Sequence, residues 1–234
     1  MPKGMSFDWN PQTIDWYRRA EAYNHFYEFA AQQNLPLIPD CRSLCDLGCG
    51  LGLADMVFAG HIPEVTCMDI DETALRSLRE AADREGLFNL KTVCRDCEHP
   101  DGMWDVIFVS FFGTRMVKNF LPCCKKLFML VEAPGNLSMG PSGYGRRRKT
   151  NADETEAILK ELGVSYVRRD YERESGQPFD SPEEAAAFVR NLAPAVTDED
   201  LEAFLAERVV KQEDEQAPYF LARMKRFAIF EVNP

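Results

Sequence analysis

The run Cys45-Asp46-Leu47-Gly48-Cys49-Gly50-Leu51-Gly52, with Asp69 further along, restricts this chain more than any other stretch. The apolar residues read as a short buried strand, the glycines as a turn opening into a helix, and Val65–Asp69 as a second strand ending in a carboxylate. Glycines let backbone come close to a ligand, and a helix start presents N–H groups without partners. A carboxylate at the tip of the next strand can accept both hydroxyls of a ribose. The pattern predicts a nucleoside-cofactor site.

Two details choose among cofactors. A dinucleotide fingerprint needs G-x-G-x-x-G, but the sixth position counted from Gly48 is Leu53, and the third glycine falls one place early, at Gly52. Asp46, just before the turn, would repel a pyrophosphate and tolerate a cofactor bearing an ammonium and a sulfonium. Asp-x-Gly-x-Gly-x-Gly with the later Asp69 resembles motif I and the ribose acid of the class I S-adenosylmethionine-dependent methyltransferases. The stretch Arg173–Phe188 resembles segments of bacterial members whose substrate is unassigned.

The chain has 234 residues, 45% of them hydrophobic, enough for one large α/β domain with an elaboration. Its formal charge of −11 argues against broad capture of nucleic acid. No apolar run approaches the roughly 20 residues of a membrane span, and the N-terminus lacks a signal-peptide core, so a soluble cytoplasmic protein is expected. Eight cysteines are present. Cys94-x-x-Cys97 has no matching second pair, which favours reduced thiols over a zinc site. No metal is expected.

Strands then alternate with helices: strands at 43–47, 65–69, 90–94, 105–111 and 126–131, with helices at 52–60, 72–86 and 114–123 between them. This order predicts a doubly wound, mostly parallel seven-stranded sheet with helices on both faces and ligands at the strands' carboxyl ends. A sixth strand around 164–171 and a closing antiparallel strand over 219–232 complete the expected class I methyltransferase fold. Helices at 151–162, 181–192 and 198–211 follow the parallel part. An aromatic helix is expected over 12–33, either packing on the sheet edge or acting as a lid. The organisation is thus one domain: a helical lid (1–39), a cofactor-binding core (40–135), and a substrate-side loop, helical insertion and closing strands (136–234).

The resemblance, carried over residue by residue, lines the methionine portion of the cofactor with Asp46, Gly48 and Gly50, and counts Cys49 between them as cofactor-binding. It gives the ribose to Asp69, the adenine face to Ile70 and the adenine edge to Asp96 and Cys97, and adds Ser110 at the tip of the fourth strand. That strand ends Val109-Ser110-Phe111-Phe112-Gly113, without the Asn/Asp-Pro-Pro-aromatic turn typical of enzymes acting on adenine or glutamine amides.

The acceptor is less legible, because methyl transfer relies on alignment and water exclusion and needs a base only when the nucleophile must lose a proton. His25 and Tyr17 are the catalytic candidates; Tyr27, Phe111, Arg146 and Arg147 are the substrate-side ones. The basic run Arg146–Lys149 is either a solvated loop or an anion clamp. The function expected is methyl transfer from S-adenosylmethionine to a small-molecule acceptor, an anionic one if the basic run is a clamp. An RNA or protein methyltransferase and a catalytically silent cofactor-binding scaffold are the alternatives.

Overall fold

The computed structural model describes residues 8–144 and 150–234. Five parallel strands come first: β1 (Ser43–Leu47), β2 (Glu64–Asp69), β3 (Leu90–Cys94), β4 (Trp104–Ser110) and β5 (Cys124–Glu132). β6 (Ser165–Glu174) follows, then three short strands, β7 (Gln177–Phe179), β8 (Val209–Lys211) and β9 (Tyr219–Leu221), and finally β10 (Met224–Asn233). The main sheet runs β3-β2-β1-β4-β5-β10-β6, with β10 antiparallel to both neighbours. The strand order reverses between β1 and β4, which opens the crevice where ligands of such sheets sit. The short strands form a second sheet, β7-β9-β8.

The helices are α1 (Pro11–Asn24), α2 (Phe26–Asn34), α3 (Leu53–Ala59), α4 (Glu72–Glu85), α5 (Val117–Phe120), α6 (Ala152–Leu162), α7 (Pro182–Leu192) and α8 (Asp198–Arg208). Their ends obey local chemistry. Asp71 accepts from the N–H groups of Thr73 and Ala74, Asn151 and Glu154 form a reciprocal box, and Ser181 caps a helix that opens with Pro182. Such caps each contribute roughly 1 kcal/mol.

One face of the sheet buries Phe58, Phe108, Phe128 and Phe227 under α2 and α3, and the other buries Leu47, Ile107, Met129 and Phe230. A third cluster joins Phe179, Phe188, Leu201 and Phe204 of the insertion to Trp16 of α1. The insertion completes its core by borrowing that indole, whose ring meets Phe188 edge-on at 5.2 Å.

The structure corrects four boundaries, and in the simplest the helix expected over 198–211 ends at Arg208, its last three residues forming β8. The aromatic helix expected over 12–33 is two helices, broken at His25, whose φ of 51° is left-handed. Glu21 makes the break tolerable: its carboxylate accepts from the N–H groups of Tyr27 (2.8 Å) and Glu28 (2.9 Å), capping α2 from α1. The closing strand expected over 219–232 is divided between two sheets, β9 and β10, with the chain bending at Ala222–Arg223. The helix expected over 114–123 shrinks to α5 and a 3-10 turn containing Pro122.

Candidate active site

The glycine turn leaves β1 at the crevice. Gly48 and Cys49 both donate their N–H groups to the Met68 carbonyl, at 2.8 and 3.1 Å, which folds the turn onto β2. Gly50 has φ 55°, and a side chain there would meet the Trp9 indole at 3.1 Å. Gly52 opens α3 with φ 63°, and a Cβ would lie 2.6 Å from Leu78, so only glycine lets α3 and α4 come this close.

Asp69 is held at the tip of β2 by two backbone donors, Gly50 N–H to Oδ2 at 2.8 Å and Asp71 N–H to Oδ1 at 2.9 Å. Ile70 beside it is 58% exposed. Asp96 is exposed in the loop after β3 and accepts from the Glu98 N–H, whereas Cys97 is buried with its thiol on the Met68 carbonyl. Ser110 ends β4 with its hydroxyl shielded from water and without a hydrogen-bond partner. The structure therefore gathers Asp46, Gly48, Cys49, Gly50, Asp69 and Cys97 around one turn, with Ile70 and Asp96 in the adjoining loops.

Asp46 is 2% exposed and its Oδ1 has no hydrogen-bond partner. Asp55, in the first turn of α3, is fully buried and faces Asp46. Burial raises both carboxyls, Asp46 further because it faces the charge of Asp55 and then of Asp69, and Asp55 is pushed up to about 7. Two buried carboxylates in contact cannot both ionise readily, so the pair retains a proton. Burial also pushes the thiols of Cys45, Cys49 and Cys67 well up, which keeps them neutral. All eight cysteines are free. Among the described residues no group of three or more His, Cys, Asp or Glu side chains is placed to hold a metal ion.

A cavity of about 420 Å³ lies between α1, the start of α2, the segment 136–141, α7 and the bend before β10, and Trp9, which approaches Gly50, meets its Tyr17 wall at 5.0 Å between ring centroids. Trp16, Tyr17, Phe26, Tyr27 and Phe188 supply aromatic wall, and Glu21, Asn24, Glu132, Ser175, Arg223 and Lys225 are among its polar groups. Tyr27 links cavity and turn. Its phenol is raised well above the usual range by burial, then by Tyr17 and the carboxylates of Glu21, Asp46 and Glu132, so it stays a hydrogen-bond donor. Phe111, at the end of β4, takes a left-handed φ of 51° and carries the Lys225 ammonium 3.3 Å from its ring centroid. Burial opposes ionisation of Glu132, yet Lys225 and Arg223 overcome this and hold its pKa below the usual carboxylate value.

Of the sequence-predicted residues, Tyr17 and Tyr27 line the cavity and Phe111 meets its Lys225 wall. His25, the other catalytic candidate, is exposed, pairs through Nδ1 with Glu28 at 2.8 Å, and is absent from the cavity wall. Arg146 and Arg147 lie outside the described residues. Asp55, Glu132, Arg223 and Lys225 were missed. Glu132, at the carboxyl end of a parallel strand, was findable on that ground. The two cations were hidden by the bend between β9 and β10.

Comparison with known proteins now places the fold. Residues 44–131 match the family described as "Methyltransferase domain". No curated protein matches the chain. Among solved structures, magnesium protoporphyrin IX methyltransferase of Synechocystis PCC 6803, with S-adenosylhomocysteine bound, is similar over 96% of this chain and 95% of its own, at TM-score 0.60 and 12% identity. The YcgJ protein of Bacillus subtilis is similar over 89% and 98%, at 0.57 and 14%. Coclaurine N-methyltransferase, bound to N-methylheliamine and S-adenosylhomocysteine, covers 88% and 72%, at 0.54 and 14%. Residues 44–131 thus match a methyltransferase domain, and the fold as a whole is shared with these solved structures. Among the described residues no helix is long and apolar enough to cross a membrane.

Proposed function

We propose that this methyltransferase acts on a small-molecule acceptor held in the cavity beside the glycine turn. The observation that carries the reading is the cavity itself: about 420 Å³, with five aromatic residues in its wall beside polar and charged groups. Sites for small ligands have this size and composition. A polymer substrate calls instead for an open basic surface, and the formal charge of the chain is −11.

The residues present fit the cofactor. Asp46 offers a buried, unpartnered carboxylate oxygen beside the turn, and Gly50 and Gly52 leave room where side chains would intrude. Asp46, Gly48, Cys49 and Gly50 would hold the methionine portion, Asp69 the ribose, and Ile70, Asp96 and Cys97 the adenine, with Ser110 toward the reacting end. The bound cofactor supplies an electrophilic methyl group on a sulfonium. The protein's part is to align the acceptor and keep water out, a contribution on the order of 7–11 kcal/mol in favourable cases. α1 and α2 act as the cover, Tyr17 and Tyr27 face the acceptor, and Tyr27 donates a hydrogen bond to it.

An acceptor screen with labelled methyl donor tests this. The reading expects label in a small compound, turnover insensitive to salt, and loss of turnover on filling the cavity with Ala20→Phe. Label entering only RNA or protein, with a steep fall as salt rises, would overturn it.

A further inference from the structure

Two aromatic rings lie on the glycine turn. A Cβ at Gly48 would meet Phe112 Cδ2 at 2.9 Å, and one at Gly50 would meet Trp9 Cζ2 at 3.1 Å. Phe112 belongs with the apolar cluster of the sheet, whereas Trp9 is partly exposed and comes from the segment before α1. That segment is nevertheless fixed on both sides of the indole. The Thr13 hydroxyl donates to the Asp8 carbonyl at 2.9 Å, and Asn10 Oδ1 accepts from the N–H groups of Gln12 and Thr13 at 3.0 and 3.1 Å. α1 itself is fastened to α4 by Arg18, whose Nη2 donates to the carbonyl and the hydroxyl of Ser77 at 2.8 and 2.9 Å. The fold therefore positions Trp9 on the turn. The same indole meets Tyr17 edge-on at 5.0 Å between centroids, and Tyr17 lines the cavity. Trp9 thus bridges the turn and the cavity wall.

We propose that Trp9 recognises the sulfonium of S-adenosylmethionine, and so raises affinity for the methyl donor relative to S-adenosylhomocysteine. The proposal rests on reading the turn as the seat of the methionine portion and the cavity as the acceptor site, since the methyl-bearing sulfur then lies between the two. A sulfonium has no N–H or O–H to donate, so hydrogen bonds from the cofactor do not mark it out. The face of an aromatic ring attracts a cation, and indole does so most strongly. Methyl donor and product differ only in the methyl group and the positive charge it confers. A ring beside the sulfur therefore separates them, and a ring elsewhere does not. The competing assignment is that Trp9 only packs the N-terminal segment onto the turn, a role that serves both compounds equally.

The test is calorimetric titration with S-adenosylmethionine and with S-adenosylhomocysteine, reading the ratio of the two affinities. Trp9→Leu keeps an apolar side chain and removes the ring. It is expected to lower the ratio about tenfold, almost wholly through the methyl donor, with affinity for S-adenosylhomocysteine changed by less than about threefold. Trp9→Phe keeps a ring and should lower the ratio by less than about threefold. Thermal melts establish that each variant is folded. If Trp9→Leu is not, protein carrying mono- and difluorinated tryptophan at position 9 replaces it, and the ratio should fall stepwise as fluorine draws electron density from the ring. An unmoved ratio in either series overturns the proposal, as does equal weakening of both compounds. Tighter binding of both by Trp9→Leu also overturns it, because the indole would then be filling space that the cofactor needs. Failure of the wild type to bind either compound overturns the reading beneath it.

Discussion

Gly50 and Asp69 are joined by a 2.8 Å hydrogen bond from the Gly50 N–H to Asp69 Oδ2, so the glycine turn aims the carboxylate that ends β2. The two halves of the cofactor signature are therefore one mechanical unit. Gly50→Ala places a side chain at φ 55° and 3.1 Å from Trp9. It is expected to cost about 1–2 kcal/mol in denaturant unfolding, from the left-handed backbone alone. Affinity for S-adenosylhomocysteine should fall with it, as Asp69 loses its guide. Unchanged affinity would show that the turn does not set the carboxylate.

The pair Asp46 and Asp55 gives stability a distinctive pH dependence. Asp55 is pushed up to about 7 by burial. Between the ordinary aspartate pKa near 4 and that value, the folded protein binds more protons than the unfolded chain. Stability is then greatest below about pH 4 as far as this group is concerned, and falls as pH rises toward 7, at up to about 1.4 kcal/mol per pH unit. Asp55→Asn should flatten that fall in thermal melts from pH 4 to 8. A variant with the wild-type slope would contradict the shared proton.

His25 is exposed, bonded to Glu28 and outside the cavity wall, so it is expected to take no part in proton transfer. Asparagine tolerates the left-handed backbone that His25 occupies. His25→Asn is therefore expected to keep turnover within about twofold, with the pH–rate profile unmoved. A loss of the basic limb would return His25 to the chemistry.

Tyr27 stays protonated because burial and three carboxylates oppose its ionisation. Tyr27→Phe should lower kcat/KM by roughly tenfold, about the worth of one hydrogen bond, and leave the pH profile in place. A shifted profile would mark Tyr27 as a titrating base instead.

Much of this was legible in the chain, for local reasons. The turn Gly48–Gly52, the cap at Asp71 and the alternation of apolar runs are set by residues close in sequence, and the sheet follows from them. The break at His25 was not legible, because Glu21, a side chain one turn earlier, stabilises it by capping α2. The cavity wall was illegible for a stronger reason. Glu132, Ser175 and Arg223 come from distant segments and meet only through the bend that sends β9 and β10 into different sheets. Asp55 reads in sequence as an ordinary acid in the first turn of a helix. Its burial against Asp46 is a property of the packed α3 alone.

The most direct measurement is calorimetric titration of the purified protein with S-adenosylhomocysteine, beside Asp69→Ala and with NAD as control. The account predicts binding by the wild type, at least about a tenfold loss in Asp69→Ala, where a pair of charge-assisted hydrogen bonds is removed, and no response to NAD. Wild-type protein that ignores S-adenosylhomocysteine, or binds NAD in its place, would contradict it.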